Sequence, residues 1–332
     1  MKGQNLAELH VHLGGAVKPD ILWSLAHEQG IRLPTKDYWE FVAKFTIGAG
    51  KIAWEAFHEL FGWTELVQSS PLAMERCVEE VIGGAYRRCR ITLLELSYNP
   101  MFRNRGGERD LDHIIMASLR GLDKARLAYP QIKAGLIFLL DRRLPVAKNQ
   151  IIVRKAIKYK NRGVVGVDLA GPQPQDRRFT YRELVECYRL ARQEGLGTVV
   201  HCGEEGEASE MLEVIEWLKP SRIVHGIKAY TQPKILKLLA KRKIVLALCP
   251  TANLKLGIVK NLGELKLAFQ AFKRYRVPFC LNTDDPEFFG TNLLGEFRLL
   301  LKNKILSEKE ILAANQRAFR HSFLNDLKGG EK

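Results

Sequence analysis

The chain holds eight histidines in 332 residues, and four of them close short apolar, largely β-branched runs. His10 and His12 end Glu8-Leu9-His10-Val11-His12. His201 ends Thr198-Val199-Val200-His201, and His225 ends Arg222-Ile223-Val224-His225. Another such run leads into Asp284 and Asp285, a further one ends at Asp168, and Glu204 follows His201 across Gly203. At i and i+2 of a strand, His10 and His12 project to the same side. Each signal alone is weak, because a lone H-x-H is more often structural than metal-bound. By itself, His201 with Glu204 reads equally well as a buried imidazole beside a surface acid. Taken together, three imidazoles and a carboxylate form an N3O donor set that suits Zn²⁺ or Fe²⁺. A metal with an open position lowers the pKa of bound water toward about 7. His225 and Asp285 then remain to orient or deprotonate that water, and Glu204 to carry a proton to the substrate. This is equipment for hydrolysis at an electrophilic carbon. His27, His58, His113 and His321 lie in helical segments and receive no role.

The elements that must position these groups can be read from periodicity. Strand-like runs occupy 7–13, 92–98, 135–140, 164–169, 198–202, 222–225, 244–248 and 278–282. Segments with helical spacing lie between most of them, for example 181–194, 207–218, 232–241 and 262–275. Strands alternating with helices imply parallel pairing and right-handed crossovers, and eight units suit a (β/α)8 TIM barrel. No G-x-G-x-x-G follows an early strand, which counts against a dinucleotide fold. Nearly eighty residues separate the first two strands. Helices are expected there over 19–29, 39–45, 54–67 and 71–89, a helical insertion of about 14–90 placed over the C-terminal mouth of the barrel, where barrel active sites lie. Phe57, Leu60, Phe61 and Trp63 are expected to pack between those helices, with a pocket wall as the alternative. One or two closing helices are expected from Glu308 to about Leu327, then a frayed tail.

Composition bounds the rest. The chain is 46% hydrophobic and 27% charged, without linker-like runs or repeats, and reads as a single domain spanning 1–332. The N-terminus has no apolar signal core, and no eighteen uninterrupted apolar residues occur, so a soluble, cytoplasmic protein without membrane contact is expected. The six cysteines form no C-x-x-C pair and are read as reduced and mostly buried. The net charge of +15 favours anionic partners. Its densest run, Arg142 to Arg162, interleaves apolar residues at helical spacing and reads as a solvated helix face. That run lacks the aromatic interleaving of a nucleic-acid platform, apart from Tyr159. The H-x-E with P-C-x-x-C signature of compact base deaminases is absent as well, so nucleic acid is not the expected partner.

Six motifs, in order across nearly the whole chain, resemble those of the adenosine deaminase family within the metal-dependent amidohydrolases. Glu8–Gly15 is similar to its opening H-x-H-L-x-G, Val167–Gly171 to D-L-A-G and His201–Glu204 to H-A-G-E. Arg222–Gly226 is similar to R-I-x-H-G, Cys249–Asn253 to C-P-x-S-N and Asn282–Pro286 to N-T-D-D-P. The resemblance implies one Zn²⁺ per chain held by His10, His12, His201 and Asp284. It implies Glu204 as proton donor to purine N1, and His225 and Asp285 as the groups that position and activate the attacking hydroxide. Gly171 would offer backbone near N3, with His12 and Asp285 also facing the substrate. The activity implied is hydrolytic deamination of adenosine or a related 6-aminopurine nucleoside, with ammonia leaving. Adenine, AMP or an N6-substituted AMP is the alternative substrate, and a nucleic-acid binder or an inactive relative the remoter reading. Four positions depart from the pattern. Gly14 stands where relatives carry an acid that meets the ribose, Pro172-Gln173 where an acidic pair is common, Ala252 for serine, and Ser97 where Arg is frequent. These changes are expected around the non-purine part of the substrate. Lost carboxylates in a basic protein favour a more anionic substrate such as a 5′-nucleotide.

Overall fold

The computed structural model describes residues 3–48, 50–104, 110–172 and 179–325. Eight parallel strands form one sheet in sequential order. They are β1 Leu6–His12, β2 Ile91–Tyr98, β3 Lys133–Asp141, β4 Val164–Ala170, β5 Gly197–Cys202, β6 Arg222–His225, β7 Val245–Leu248 and β8 Phe279–Leu281. With helices surrounding them, this is the (β/α)8 barrel the alternation implies.

The seam between β8 and β1 is closed largely by the loop after β8 and by side chains. The His12 N–H donates to the Asp284 carbonyl (2.8 Å), and Val11 bridges Asp284. The Leu9 N–H donates to Asn282 Oδ1 and the Thr283 N–H to Glu8 Oε1, both at 2.8 Å. This stitching sets the first two histidines beside Asp284. β1 also shifts register between Glu8 and Val11. Strict alternation is broken there. Leu9 joins the small apolar cluster with Leu93, Ile137, Val199 and Val224, while His10 and His12 reach the mouth.

Beneath that apolar cluster lies a buried ion pair of Arg222 with Glu95. Glu95 also accepts from the Ser322 hydroxyl (2.8 Å) and the Phe323 N–H (2.7 Å), and Arg222 stacks over the Phe323 ring at 4.4 Å. The segment after the last long helix, Glu308–Arg320, is thereby anchored to the barrel. Residues 326–332, which include the expected tail, lie outside the described residues.

Between β1 and β2 stand the expected helices, Pro19–Glu28, Tyr38–Phe45, Trp54–Val67 and Pro71–Cys89. Periodicity missed some short elements. Leu13–Ala16, Pro250–Lys255 and Pro286–Phe289 span one or two turns and show too few residues for a period to appear. The expected helix 207–218 is one α-turn, Glu210–Glu213, running into a π-helical stretch, Val214–Leu218. All six cysteines are free and buried. No helix among the described residues is long and apolar enough to cross a membrane.

Candidate active site

The strand ends deliver the histidines and carboxylates to one place. His10 Nε2 lies 2.9 Å from Asp284 Oδ1, and His12 Nε2 lies 3.3 Å from the same oxygen and 3.2 Å from His201 Nε2. His201 Nδ1 meets Asp168 Oδ1 at 3.1 Å, which turns its Nε2 toward the centre. His225 Nε2 lies 3.2 Å from Glu204 Oε1 and 3.8 Å from Asp284 Oδ2, and its Nδ1 pairs with the Asn253 amide at 3.1 Å. His225 and Asp284 both hold positive φ, 58° and 69°, a backbone conformation that side-chain-bearing residues rarely adopt and that collects at functional sites.

This donor set fits a divalent transition ion. Donor atoms of His10, His201, His225 and Asp284 all lie within 4.8 Å of one another, as do those of His12, Asp284 and Asp285. Burial pushes His10 down to about 4 and His225 to about 3, so both imidazoles are neutral at pH 7 and offer lone pairs. Burial also pulls on His12, but the nearby Asp285 and Asp284 carboxylates outweigh it and carry the pKa up to about 9. Burial opposes charge on Asp284 too, yet His225 and hydrogen bonds to His10 and His12 hold it well below the carboxylate range. An ionised carboxylate among three or four imidazoles is the ligand chemistry of zinc. A cation bound there displaces the His12 proton.

The remaining acids have the opposite character. Burial, then the charge of Asp284, raises Glu204 and Asp285 well above the ordinary range. Both Asp285 oxygens are buried and lack a hydrogen-bond partner among the described residues. Asp285 packs on Gly15, where a Cβ would fall 2.1 Å from its Oδ1, so only glycine lets this carboxyl group stand where it does. Two acids whose proton affinity is raised above that of an ordinary carboxylate can each hold and pass a proton, as a proton relay requires.

The cluster opens into a cleft whose empty space, open solvent included, is about 810 Å³. Phe57 and Phe61 line it, with Trp54, whereas Leu60 and Trp63 pack on the core behind. All four therefore pack on the core as expected, and for Phe57 and Phe61 the alternative reading as pocket wall holds as well. Gly171 lines the cleft, as do Gly14, Ser97 and Pro172, three of the departures from the motif pattern. Ala252 is buried in the helix Pro250–Lys255 and does not reach the cleft, so its substitution lies away from the substrate. Gln173 lies outside the described residues.

Two parts of the basic run 142–162 are not helix face. Its helix is Val146–Lys158, where Lys148, Arg154 and Lys158 are exposed as expected. Arg142 and Arg143 instead sit in the turn after β3. Arg142 is buried and donates to the carbonyls of Gly171 (3.1 Å) and His201 (2.5 Å), tying the ends of β4 and β5 together. Arg143 forms a two-pronged pair with Asp141 (2.9 and 2.8 Å) in the cleft wall. Only its place directly after a strand end, ahead of the helix, distinguishes Arg142 from its solvated neighbours in the sequence.

A family model described as adenosine deaminase matches residues 5–329. The chain belongs to the adenosine deaminase family. It is a hydrolytic aminohydrolase. Among curated members, it is similar to the adenine deaminase of Kluyveromyces lactis, 30% identical over 297 residues covering 87% of this chain and 80% of that one. It is also similar to the adenosine deaminase of Shewanella denitrificans, 26% identical over 321 residues covering 97% and 95%. Among solved structures, the adenine deaminase of Arthrobacter aurescens superposes with a TM-score of 0.84 at 22% identity, covering 97% of this chain and 98% of that one. A Burkholderia ambifaria amidohydrolase with bound Zn gives 0.82 at 20% identity, covering 96% and 85%. The Arabidopsis N6-mAMP deaminase gives 0.82 at 22% identity, covering 98% and 96%. These likenesses show the same barrel.

Proposed function

We propose that this family member deaminates a 6-aminopurine nucleoside, adenosine first, with one Zn²⁺ held by His10, His12, His201 and Asp284. Family membership supports a purine deaminase, and the zinc in the Burkholderia amidohydrolase supports the metal. The observation that carries the reading is the convergence of two histidines from β1, one from β5, one from β6 and the acids after β8 at the base of one cleft, all but His10 lining it. Zinc, when bound, makes hydroxide available near neutral pH.

Each residue of the chain has a task in the overall reaction, adenosine plus water giving inosine plus ammonia. Glu204, kept protonated by burial, donates to N1 of the purine and leaves C6 electron-poor. Asp285 and His225 hold the attacking water and take its proton; Asn253 fixes the ring of His225 from behind. The Gly171 backbone meets the N3 edge, its position set by Arg142. Phe57 and Phe61 cover the purine and exclude bulk water. The proton taken from the water passes to the amino group, which leaves as ammonia, and Glu204 regains a proton as the hydroxyl at C6 becomes the carbonyl of inosine.

The names of the relatives favour a second reading, in which the substrate is adenine, AMP or an N6-substituted AMP. It keeps every task at the purine and changes only what fills the far end of the cleft. Zinc-loaded protein incubated with adenosine should release ammonia and inosine in equal amounts, followed by the absorbance change at C6. No turnover of any 6-aminopurine would refute the proposal.

A further inference from the structure

Glu204 stands in a stretch that is neither helix nor strand. β5 ends at Cys202, and the next helical turn begins at Glu210. Chain of this kind keeps its freedom unless particular contacts remove it. An acid that must give up a proton within hydrogen-bond reach tolerates little displacement. Glu204 and Glu205 both line the cleft, and Glu204 Oε1 lies 3.2 Å from His225 Nε2.

Three of the hydrogen bonds that hold this stretch come from one residue. The Lys228 N–H donates to the Gly203 carbonyl at 3.0 Å. Its ammonium donates to the carbonyls of Glu205 and Gly206, both at 3.0 Å. Lys228 thus grips the chain on either side of Glu204. A charged donor holds a carbonyl more firmly than a neutral one does. The approach to the grip is fixed as well. The Gly226 N–H donates to the Cys202 carbonyl (2.8 Å), and a Cβ on Gly203 would fall 3.2 Å from the Gly226 Cα. One residue before that, Arg142 holds the His201 carbonyl.

The place of Lys228 in the fold suits it to this task. It lies three residues after His225, in the short helical turn Ile227–Thr231 that follows β6. The Thr231 hydroxyl donates to its carbonyl (2.9 Å), and its side chain is half-buried. One short segment therefore carries both the imidazole that meets Glu204 and the clamp on the Glu204 loop. Lys228 itself does not line the cleft among the described residues.

We infer that Lys228 is a positioning residue for proton transfer. By clamping 203–206 it holds the Glu204 carboxyl group at the reacting edge of the substrate. The kinetic part of this rests on the deaminase reading above, whereas the clamp is measured without it. In hydrogen–deuterium exchange of the whole chain, Lys228→Met keeps the aliphatic stem and removes the ammonium donors. It should speed exchange at 203–207 about tenfold and leave the strands unchanged. In steady-state kinetics of zinc-loaded protein on adenosine, Lys228→Met should lower kcat about tenfold, with KM within about twofold and metal content unchanged. Lys228→Arg, which still reaches both carbonyls, should recover kcat to within about threefold. Lys228→Gln is too short to reach both; it should resemble Lys228→Met and decides the matter if that variant does not fold. In a Glu204→Ala background, followed as single turnovers with protein in excess, no carboxyl group remains to be placed. There Lys228→Met should change the rate by less than about twofold. The same loss in both backgrounds, unchanged exchange, a fall in metal content or an Arg variant no better than Met would overturn the inference while leaving the deaminase reading in place. A wild type inactive on adenosine, adenine and AMP alike would retract both.

Discussion

At the scale of single residues, the proposed ligands and the proposed proton carriers differ in environment. Asp284 and Asp285 are neighbours in sequence, yet one is held ionised by the imidazoles around it while burial drives the other up. Glu204 is held up in the same way. Substitutions should therefore part along that line. His12→Ala removes a proposed ligand, and metal content and turnover should fall together. Glu204→Gln keeps the metal but lowers kcat by about 10²–10⁴-fold, as loss of a general acid does. Metal analysis beside initial rates checks both, and retained turnover in the Glu204 variant would mean the proton donor is another group. The histidines and acids at strand ends were legible because each stood at the end of a short, largely apolar run. Arg142 was not, because it opens a basic run that looks like a solvated helix face. The Gly171 and His201 carbonyls it ties together are 29 and 59 positions away and come near only through the fold. Asn253 was seen only as part of a motif, and its contact with His225 spans 28 positions.

At the scale of elements, strand and helix periods predicted the barrel because its layers are sharply patterned. The turns that cap the site were less visible. Leu13–Ala16 and Pro286–Phe289 are four residues each, set by backbone closure around Asp285 and not by an apolar period. The ion pair across the barrel carries a stability prediction. Glu95→Ala would leave Arg222 buried without its counter-charge and the Ser322 and Phe323 donors without an acceptor. The cost should be about 3–5 kcal/mol in urea unfolding. Glu296, in the helix Leu293–Lys302, holds the Thr251 N–H (3.0 Å) and the Thr291 hydroxyl (2.7 Å). Burial raises its pKa to about 7. The folded state therefore binds its proton more tightly than the unfolded chain, so this contribution is complete below about pH 4.5. It is lost as pH rises to about 7, by roughly 3 kcal/mol at most. Glu296→Gln should remove that part of the pH dependence between pH 5 and 8, measured by urea unfolding; an unchanged slope would contradict the assignment.

At the scale of the whole molecule, the cleft floor joins residues from both ends of the chain. The β1–β8 seam closes on Asp284, so an ion shared by His10, His12 and Asp284 bridges the seam itself. Binding at the seam is linked to folding, and chelation should lower the melting temperature. Metal at a thousandfold excess over its dissociation constant is worth about 4 kcal/mol. The net charge of +15 is not concentrated at the site. Part of it is offset locally, as where Lys155 and Lys158 share Asp112 at 2.7 and 2.6 Å. The claim on which the rest depends is that one ion sits at this seam. Anomalous scattering at the zinc edge from a crystal of the metal-loaded protein tests it most directly. The account predicts one strong peak about 2.0–2.2 Å from His10, His12, His201 and Asp284, with His225 outside the coordination sphere. A peak elsewhere, or one that takes His225 in place of His12, would contradict it.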